Sequence, residues 1–528
     1  MKFKRLLSTL VVTSMLFAVG CGSKAESQGT NTATEKQAGG SIAIVVGGDP
    51  NSLNPLFSSD RVSMTVNNTL FAPLYVEESN GDLTYFLAES LKPSEDKLTY
   101  KLVLKNNLKW HDGQPITADD VVFTMEKILD KSQNTFLRDL FVYNDKAIEV
   151  KKIDDKTVEF KLSTVSSTFI SSLTQVLPIP KHIYNGEADL AKSAKNANPI
   201  GSGPFKFKEH KKGESIVLER FDDYVGGKPS LDSVVYRILG DNNTANIALQ
   251  NGEVGAKYIT PNDVENMKAT GNLQVETYNE GMLDNLVFLQ QNNEALKNKD
   301  VRQAIAYAIN KDELIKAAYK SEEFAAKAYS VFTPDTKYYS EEVNKFDFNV
   351  EKAKELLTKA KVKDLKLKLG YSNNKGTLES EALIIQQNLK EIGITVELVP
   401  MERTAFVGKL FDPKNNKEFD LALNGYVMGV EPDSYKSVFV SGQPYNTGDF
   451  KNPKVDELFA KGAVETDQAK RAAIYKEIQQ VLVDDLAVYP MAYPKSVVAI
   501  GKQYGGVKDA KLVPIFMFRD LSKLNMQK

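Results

Sequence analysis

The sequence is poor in the residues that build metal centres and disulfides. Its 528 residues include a single cysteine, three histidines and one tryptophan. One cysteine cannot form an internal disulfide, and no pair among His111, His182 and His210 has the spacing of a zinc site. An EF-hand loop for calcium is absent as well. We therefore expect no metal site built from side chains and no bound cofactor.

Motifs of covalent and phosphate chemistry are also missing. Ser202 lies between two glycines in PIGSGPF, but this stretch is not a Gly-x-Ser-x-Gly nucleophile motif, and no phosphate-binding Gly-rich loop occurs. The 67 lysines and arginines nearly balance the 69 aspartates and glutamates, so the chain lacks the basic excess of a nucleic-acid-binding protein. We predict neither an enzyme nor a nucleic-acid binder.

The first forty residues predict export and a membrane anchor. A basic start is followed by an apolar run from Leu6 to Val19, which suits a signal peptide and is too short to span a bilayer. The stretch FAVGCGS resembles a bacterial lipobox, so we expect removal of residues 1–20 and lipid attachment at Cys21. Residues 21–39 are polar and predict a flexible tether with a span of roughly 25 Å. The alternative is a plain signal peptide with an incidental cysteine.

The remaining chain predicts an α/β protein of two to four domains. SIAIVV reads as a buried strand, and LTYKLVLKNNLKWHDG predicts a hairpin that turns at Asn106-Asn107. Asp300 and Asn310 are placed to cap two successive helices. From about residue 350 helices alternate with strands, which favours parallel strands joined by crossover helices.

The stretch LKWHDGQPITADDVVFTME, residues 108–126, has the residue types of an active site. His111 stands beside Asp112, but adjacent residues of an extended strand point to opposite faces, so the pair is badly placed for a catalytic dyad. Thr117 followed by Asp120 has the spacing of a helix-capping box. We therefore interpret the stretch as a turn and a capped helix without catalytic residues.

The same stretch closely resembles a signature of the family-5 solute-binding proteins of bacterial ABC importers. PIGSGPFKFKEHKKGESIVLERFDDYVGGKPSLDSVVYRIL and NLVFLQQNNEALKNKDVRQAIAYAINKDELI resemble two further blocks of that family, in the expected order. The resemblance covers roughly residues 40–525. It implies an α/β, type II periplasmic-binding-protein fold with two lobes that close on a ligand, and an extra α+β domain inserted in the first lobe.

The resemblance also implies where the domains lie. Two crossings, near TYNEGMLDN and VYPMAYP, would form the hinge. Lobe I would comprise residues 40–75, 199–278 and 490–528, the accessory domain 76–198, and lobe II 279–489.

Peptide-binding members of the family hold the ligand's α-amino group with an Asp in a Trp-x-x-Asp segment, just before an acidic residue and a proline. In LALNGYVMGVEPDSY the anchor position is Met428, and Gly425 or Tyr426 stands near the Trp position. Because a buried ammonium needs a counter-charge, we expect Glu431 or Asp433 to replace the missing Asp. Asp433 could instead cap the helix that follows. Weaker candidates, each equally suited to a turn, are Asn54, Ser58 and Asn285.

The resemblance implies a monomeric, lipid-anchored receptor on the outer face of the cell membrane. It would capture oligopeptides and deliver them to an ABC permease and, through it, to the ATPase subunits. The first alternative keeps the fold but changes the ligand to a nickel chelate, a sugar or an opine. A secreted hydrolase and a surface adhesin or chaperone are further alternatives.

Overall fold

The computed structural model describes residues 36–37, 39–374, 376–412 and 417–527. The predicted signal peptide, Cys21 and nearly all of the predicted tether lie outside these residues. Within them, no helix combines the length and the apolar character needed to cross a membrane.

The described residues form 25 strands, 16 α-helices and six short 3-10 helices. The strands are β1 (Lys36–Gln37), β2 (Ser41–Val46), β3 (Tyr75–Glu77), β4 (Leu83–Tyr85), β5 (Ala88–Pro93), β6 (Thr99–Leu104), β7 (Val142–Tyr143), β8 (Lys146–Ala147), β9 (Glu149–Lys152), β10 (Thr157–Lys161), β11 (Phe205–Lys211), β12 (Ser215–Arg220), β13 (Ser233–Ile238), β14 (Ala256–Ile259), β15 (Leu273–Asn279), β16 (Met282–Phe288), β17 (Ala325–Lys327), β18 (Lys366–Ser372), β19 (Thr395–Met401), β20 (Leu421–Val427), β21 (Val488–Gly501), β22 (Tyr504–Gly505), β23 (Leu512–Val513), β24 (Met517–Phe518) and β25 (Asn525–Gln527). The α-helices are α1 (Arg61–Leu70), α2 (Ala118–Leu129), α3 (Phe169–Leu173), α4 (Lys181–Tyr184), α5 (Asn242–Gln250), α6 (Val264–Ala269), α7 (Glu294–Lys297), α8 (Lys299–Ala308), α9 (Lys311–Tyr319), α10 (Val350–Lys359), α11 (Gly376–Glu391), α12 (Arg403–Leu410), α13 (Lys436–Phe439), α14 (Pro453–Val464), α15 (Gln468–Asp484) and α16 (Val507–Ala510). Short 3-10 helices span Pro55–Phe57, Lys131–Gln133, Arg138–Phe141, Ala194–Ala197, Pro432–Tyr435 and Leu521–Lys523.

The largest sheet has twelve strands and runs through both lobes. Its order is β11-β12-β13-β2-β14-β21-β16-β20-β18-β19, with β15 and β17 also paired to β21. The alternation predicted after residue 350 is confirmed, because β18 pairs in parallel with both β19 and β20. Helix α11 is the crossover between β18 and β19.

The long strand β21 belongs to both lobes. Its first half, up to Pro494, pairs with β16 and β17. Its second half, from Lys495, pairs with β15 and β14. The other crossing is the short link between β15 and β16, where Gly281 takes a φ of 66° that favours glycine. In the description below, lobe I is residues 39–75, 199–279 and 495–527, and lobe II is the described part of 282–494.

Two hydrophobic cores follow this division in part, because the core of lobe II also includes Leu249, Val264 and Val497 of lobe I. One core lies in lobe I and the accessory domain, residues 76–198, and includes Ile42, Trp110 and Phe518. The other is formed mostly by lobe II and includes Leu286, Leu421 and Ile478. The accessory domain adds its own four-stranded antiparallel sheet, β5-β6-β10-β9, with α2 packed against it. The predicted fold class, two lobes with an inserted α+β domain, is confirmed.

The Trp-His-Asp-Gly stretch is architecture, as predicted. The His111 ring is buried, with Nε2 at 3.0 Å from the Gly203 carbonyl and Nδ1 accepting from the Gly201 amide. Burial lowers the pKa of His111 to about 4, so the ring is neutral at physiological pH. Thr117 and Asp120 form the predicted capping box of α2.

The glycines that flank Ser202 allow the chain to approach a neighbouring helix end. A Cβ at Gly201 would lie 1.9 Å from the Leu70 carbonyl oxygen, and one at Gly203 would lie 2.3 Å from the Thr69 carbonyl oxygen. The Ser202 hydroxyl accepts a hydrogen bond from the Ala72 amide at 3.0 Å. These residues dock lobe I's β11 region onto α1, so the serine has a structural contact.

Two local predictions were wrong. β6 does not form a hairpin with residues 108–113, because its edges pair with β5 and β10 instead. Helix α8 is capped by Asn298, whose side chain accepts from the Asp300 amide, so Asp300 is the second residue of the helix. Asn310 caps α9 as predicted.

Candidate ligand-binding cleft

The segment predicted to contact the ligand follows the last strand of the lobe II sheet. β20 ends at Val427, and Gly429 then takes a φ of 75°, which turns the chain into the 3-10 helix Pro432–Tyr435. A neighbouring loop holds this turn, since Thr336 Oγ1 donates to the Gly429 carbonyl at 3.1 Å and the Lys337 amide donates to the Val430 carbonyl at 2.9 Å. The turn is therefore held by the protein's own groups.

Glu431 is held in a buried ion pair with Arg471. The Arg471 Nη2 donates to Glu431 Oε1 at 2.5 Å, and only 2% of the Arg471 side chain is exposed. The same carboxylate accepts from the Asp433 amide at 3.0 Å and from the Ser171 hydroxyl at 3.1 Å. Burial alone would lower the pKa of Arg471, but the charge of Glu431 raises it above its ordinary value. Both oxygens of Glu431 thus have protein partners.

Asp433 is less well satisfied than Glu431. Its Oδ1 accepts from the Tyr475 hydroxyl at 3.1 Å. Burial, and then the nearby charge of Glu431, raises the pKa of Asp433 to about 6, against the opposing charges of Lys436 and Arg471. This carboxylate would gain a full counter-charge from a ligand ammonium.

Polar contacts join the accessory domain to this part of lobe II. The Lys337 ammonium binds the Glu77 carboxylate, and both side chains are largely buried. Ser171 donates to Glu77 and to Glu431. The Ser167 hydroxyl and amide donate to the Gly462 and Ala463 carbonyls at 2.9 Å. The accessory domain therefore closes one side of the cleft.

Near the hinge, Glu280 collects contacts from three parts of lobe I. It accepts from Arg61 and Ser496, and the Ile515 amide lies 3.4 Å away. Its side chain is 7% exposed, so the ion pair with Arg61 is shielded on the carboxylate side. These contacts fix the crossing between β15 and β16.

A small cavity within lobe II brings two of the predicted residues together. It is lined by Asn285 and Tyr426 together with Asn424, Tyr445 and Asn446, among others. The cavity is small, with room for roughly one or two water molecules. The Asn285 Oδ1 is buried and accepts no hydrogen bond from the described residues. A polar cavity of this kind can hold water beside a ligand.

The other predicted residues lie apart from this group. Asn54 is fully buried in lobe I, where its Oδ1 accepts from the Leu56 amide and its Nδ2 donates to Asn196. Ser58 donates to the Asn54 carbonyl at 2.9 Å. Met428 packs half-buried against the lobe II core. Ligand contact by any of the predicted residues, Asn54, Ser58, Asn285, Tyr426, Met428, Glu431 and Asp433, stays a prediction.

Sequence reasoning missed the partners of the predicted acids. Arg471 and Lys337 are 40 and 94 residues from Glu431 in the chain, and Glu77 lies in another domain. A signal for Arg471 exists, since Arg471, Tyr475 and Gln479 repeat every four residues on the buried face of α15. An arginine on such a face requires a buried partner.

The chain has two lobes joined by two strand crossings, and a rigid turn and charged groups lie where the lobes meet. This arrangement is typical of hinged, two-lobed bacterial solute-binding proteins. Residues 82–447 match the family model of bacterial extracellular solute-binding proteins, family 5. The chain belongs to this family, whose members are not enzymes and act outside the cytoplasm.

Individual relatives extend the likeness to nearly the whole chain. The oligopeptide-binding protein AppA of Bacillus subtilis is 31% identical, over 95% of each chain. The solved structure of the ABC transporter substrate-binding protein CtaP from Listeria monocytogenes is 45% identical in sequence and has a TM-score of 0.90. The match spans 93% of this chain and the whole of that structure. The structure of B. subtilis AppA in complex with a nonapeptide is 29% identical in sequence and has a TM-score of 0.77. The match spans 94% of this chain and the whole of that structure.

The Glu431–Arg471 pair gives a stability prediction. Changing Arg471→Met leaves a buried carboxylate without its cation, so we expect the free energy of unfolding to fall by about 3–5 kcal/mol. Urea and thermal unfolding of the ligand-free mature protein would measure this. Lys470→Met, on the exposed side of the same helix, is the matched control and should change the stability by less than about 0.5 kcal/mol. The double change Glu431→Met with Arg471→Met should recover part of the loss. If Arg471→Met were as stable as Lys470→Met, this would contradict a structural role for the Glu431–Arg471 pair.

Proposed function

We propose that this protein is a lipid-anchored receptor that captures oligopeptides and delivers them to an ABC import permease and its ATPase subunits. The likeness to AppA over 95% of both chains supports the peptide class, as does the nonapeptide complex of that relative. CtaP, the solved neighbour at 45% identity, is named an ABC transporter substrate-binding protein, which supports delivery to a permease.

One feature of the lobe II sheet supports an extended peptide as the ligand. β20 pairs with β16 along its whole length, but it pairs with β18 only at Leu421 and Ala422. From Leu423 to Val427 the second edge of β20 has no strand partner among the described residues. A peptide could add to this edge through backbone hydrogen bonds, which do not depend on the peptide's side chains.

Native mass spectrometry of the purified mature protein tests the ligand class. We expect a monomer that carries a spread of co-purified masses matching short peptides. After these are removed by unfolding and refolding, added peptide at about 100 times its Kd should stabilise the protein by about 2.7 kcal/mol, seen as a rise in Tm. A single non-peptide mass, such as a nickel chelate, a sugar or an opine, would overturn the proposal.

For the ligand's α-ammonium, we propose Asp433 as the anchor in preference to Glu431. Glu431 already has a cation, and a second cation would compete with Arg471 for the same oxygens. Asp433 has one hydroxyl partner, and its raised pKa shows that the surrounding charges do not fully stabilise its ionised form.

The Asp433 anchor predicts a pH dependence with a definite sign. The ammonium binds the ionised carboxylate, so the affinity for free-amine peptides should be full above the free-protein pKa of about 6 and fall as the pH drops below it. Isothermal titration between pH 5 and 8 would measure this for a peptide and for its N-acetylated form. Asp433→Asn should weaken binding of the free-amine peptide at pH 7.5 and remove its pH dependence. The acetylated peptide, which has no ammonium, is the control.

The same variant separates a binding role from a structural one. Because the pKa of Asp433 is raised in the folded state, ionisation opposes folding above pH 6. Asp433→Asn should therefore not lower the Tm of the ligand-free protein at pH 7.5. Equal loss of affinity for free and acetylated peptides would refute the anchor.

The lipid anchor at Cys21 is a separate part of the proposal. Its support is the lipobox-like stretch FAVGCGS followed by a polar tether. Two or three acyl chains would hold the receptor stably at the membrane, since each buried methylene contributes about 0.8 kcal/mol. Metabolic labelling with a fatty-acid analogue should mark the wild-type protein and not Cys21→Ser, which should be released to the medium. Labelling of the serine variant would exclude this site.

A further inference from the structure

Asp335 stands out among the acidic residues of lobe II because its carboxylate lacks a full set of partners. One of its oxygens is enclosed and accepts no hydrogen bond from the described residues. Among the described residues, no lysine, arginine or histidine forms an ion pair with Asp335. Lys337, two residues further on, is engaged by Glu77. Asp335 as a whole is half-buried, but an enclosed carboxylate oxygen without a donor is costly and calls for a physical reason.

The loop that carries Asp335 is held rigidly beside the turn after β20. The Thr333 amide donates to the Tyr435 hydroxyl at 3.2 Å, and Thr336 Oγ1 lies 2.9 Å from the same hydroxyl. Thr336 and Lys337 also bind the carbonyls of Gly429 and Val430, as described above. The carboxylate therefore cannot easily swing towards another cation, and its position is prepared in advance.

Asp335 also lies at the meeting of the two lobes. The side chain that lowers the pKa of Asp335 is that of Asn279, the last residue of β15 and the start of the hinge crossing. Asp335 belongs to lobe II and Asn279 to lobe I, so the carboxylate is enclosed when the lobes meet. Burial raises the pKa of Asp335, and the neighbouring amide only partly opposes this.

We propose that Asp335 binds a cationic group of the ligand within the closed cleft. The group is the ammonium or guanidinium of a basic side chain of the peptide, since Asp433 is the proposed partner of the α-amino group. This inference rests on the proposed function and specifies it, because it makes peptides with such a cation the preferred ligands. A metal ion is the poorer occupant, since no three His, Cys, Asp or Glu side chains converge anywhere in the described residues.

The cation supplies what the protein leaves out. Met428, one residue before the Gly429 carbonyl that this loop binds, carries no charge, and Arg471 and Lys337 are paired with Glu431 and Glu77. An enclosed carboxylate without a cation is costly. A ligand that brings no cation leaves Asp335 in that state when the cleft closes, so such a ligand should bind more weakly. Selectivity of this kind arises from the penalty on the wrong ligand as much as from attraction to the right one.

The test uses the stripped, full-length mature protein and alanine-based peptides of five and nine residues. Each peptide is made with a free or acetylated N-terminus and with lysine or norleucine at one position in turn, which separates the two sources of positive charge. Wild-type protein should bind the preferred cation-bearing peptides at least tenfold more tightly than the doubly neutral ones. In Asp335→Asn, which keeps the shape and can still bind Asn279, this tenfold preference should disappear.

The pattern of loss identifies the cation. A loss confined to lysine peptides supports the assignment of Asp335 to a basic side chain, and a loss confined to free-amine peptides would overturn it in favour of the α-ammonium. Asp364→Asn removes the same charge from an exposed, remote turn and should leave all affinities unchanged. Thermal unfolding should show no drop in Tm for Asp335→Asn without ligand.

Two further results would overturn the inference. In one, Asp335→Asn binds every peptide as wild type does. In the other, it weakens charged and neutral peptides equally, as a general defect of the loop would. Failure of the proposed function has a different signature, because wild-type protein would then bind none of these peptides.

Discussion

Hydrogen bonding along β21 constrains everything else in this molecule. Because one fourteen-residue strand pairs with β16 and β17 at its start and with β14 and β15 at its end, the two lobes share a backbone element. The pairing changes between Pro494 and Lys495, opposite Asn279 on the other crossing. The backbone passes between the lobes only at these two crossings, so we expect a hinge motion to be concentrated there. The groups next to the crossings are thus the ones whose surroundings change most on closure.

Three carboxylates near the cleft differ in how far the protein satisfies them. Glu431 has Arg471 and several donors, and its role is to fix the turn after β20. Asp433 has the Tyr475 hydroxyl and a pKa raised to about 6. Asp335 has an enclosed oxygen without a donor. The fewer protein partners a carboxylate has, the more it should be stabilised by a cation of the ligand. The acid nearest the family's usual anchor in sequence is therefore not automatically the one that binds.

How much could be predicted from sequence follows the range of the interactions. The capping box of Thr117 and Asp120 and the alternation of α10, β18, α11 and β19 are local patterns, and the structure confirms them. The hairpin was wrong because the alternation in β6 fixes which face is buried and does not choose the partner strand.

The cleft was harder to predict for the same reason. Ion pairs such as Glu77–Lys337 join residues 260 positions apart, and no spacing rule reaches that far. The resemblance located the turn at Glu431, but it could not show that Arg471 had already occupied that carboxylate.

Closure of the cleft reflects a balance between opposing polar contacts. Glu77 and Ser171 of the accessory domain bind Lys337 and Glu431 of lobe II, and contacts of this kind favour a closed form. Asp335 becomes enclosed without a cation, which disfavours it. A ligand shifts such an equilibrium only by its differential affinity for the two forms, and moving it from 1:99 to 99:1 requires about 5.5 kcal/mol.

A ligand cation at Asp335 contributes to that difference in a way that a neutral contact does not. It adds its own attraction and removes the penalty that kept the lobes apart. Backbone bonds to the edge of β20 involve lobe II alone, so they can hold a peptide equally well in either form. The charge at the seam then couples binding to closure, since only the closed form encloses both the carboxylate and its partner.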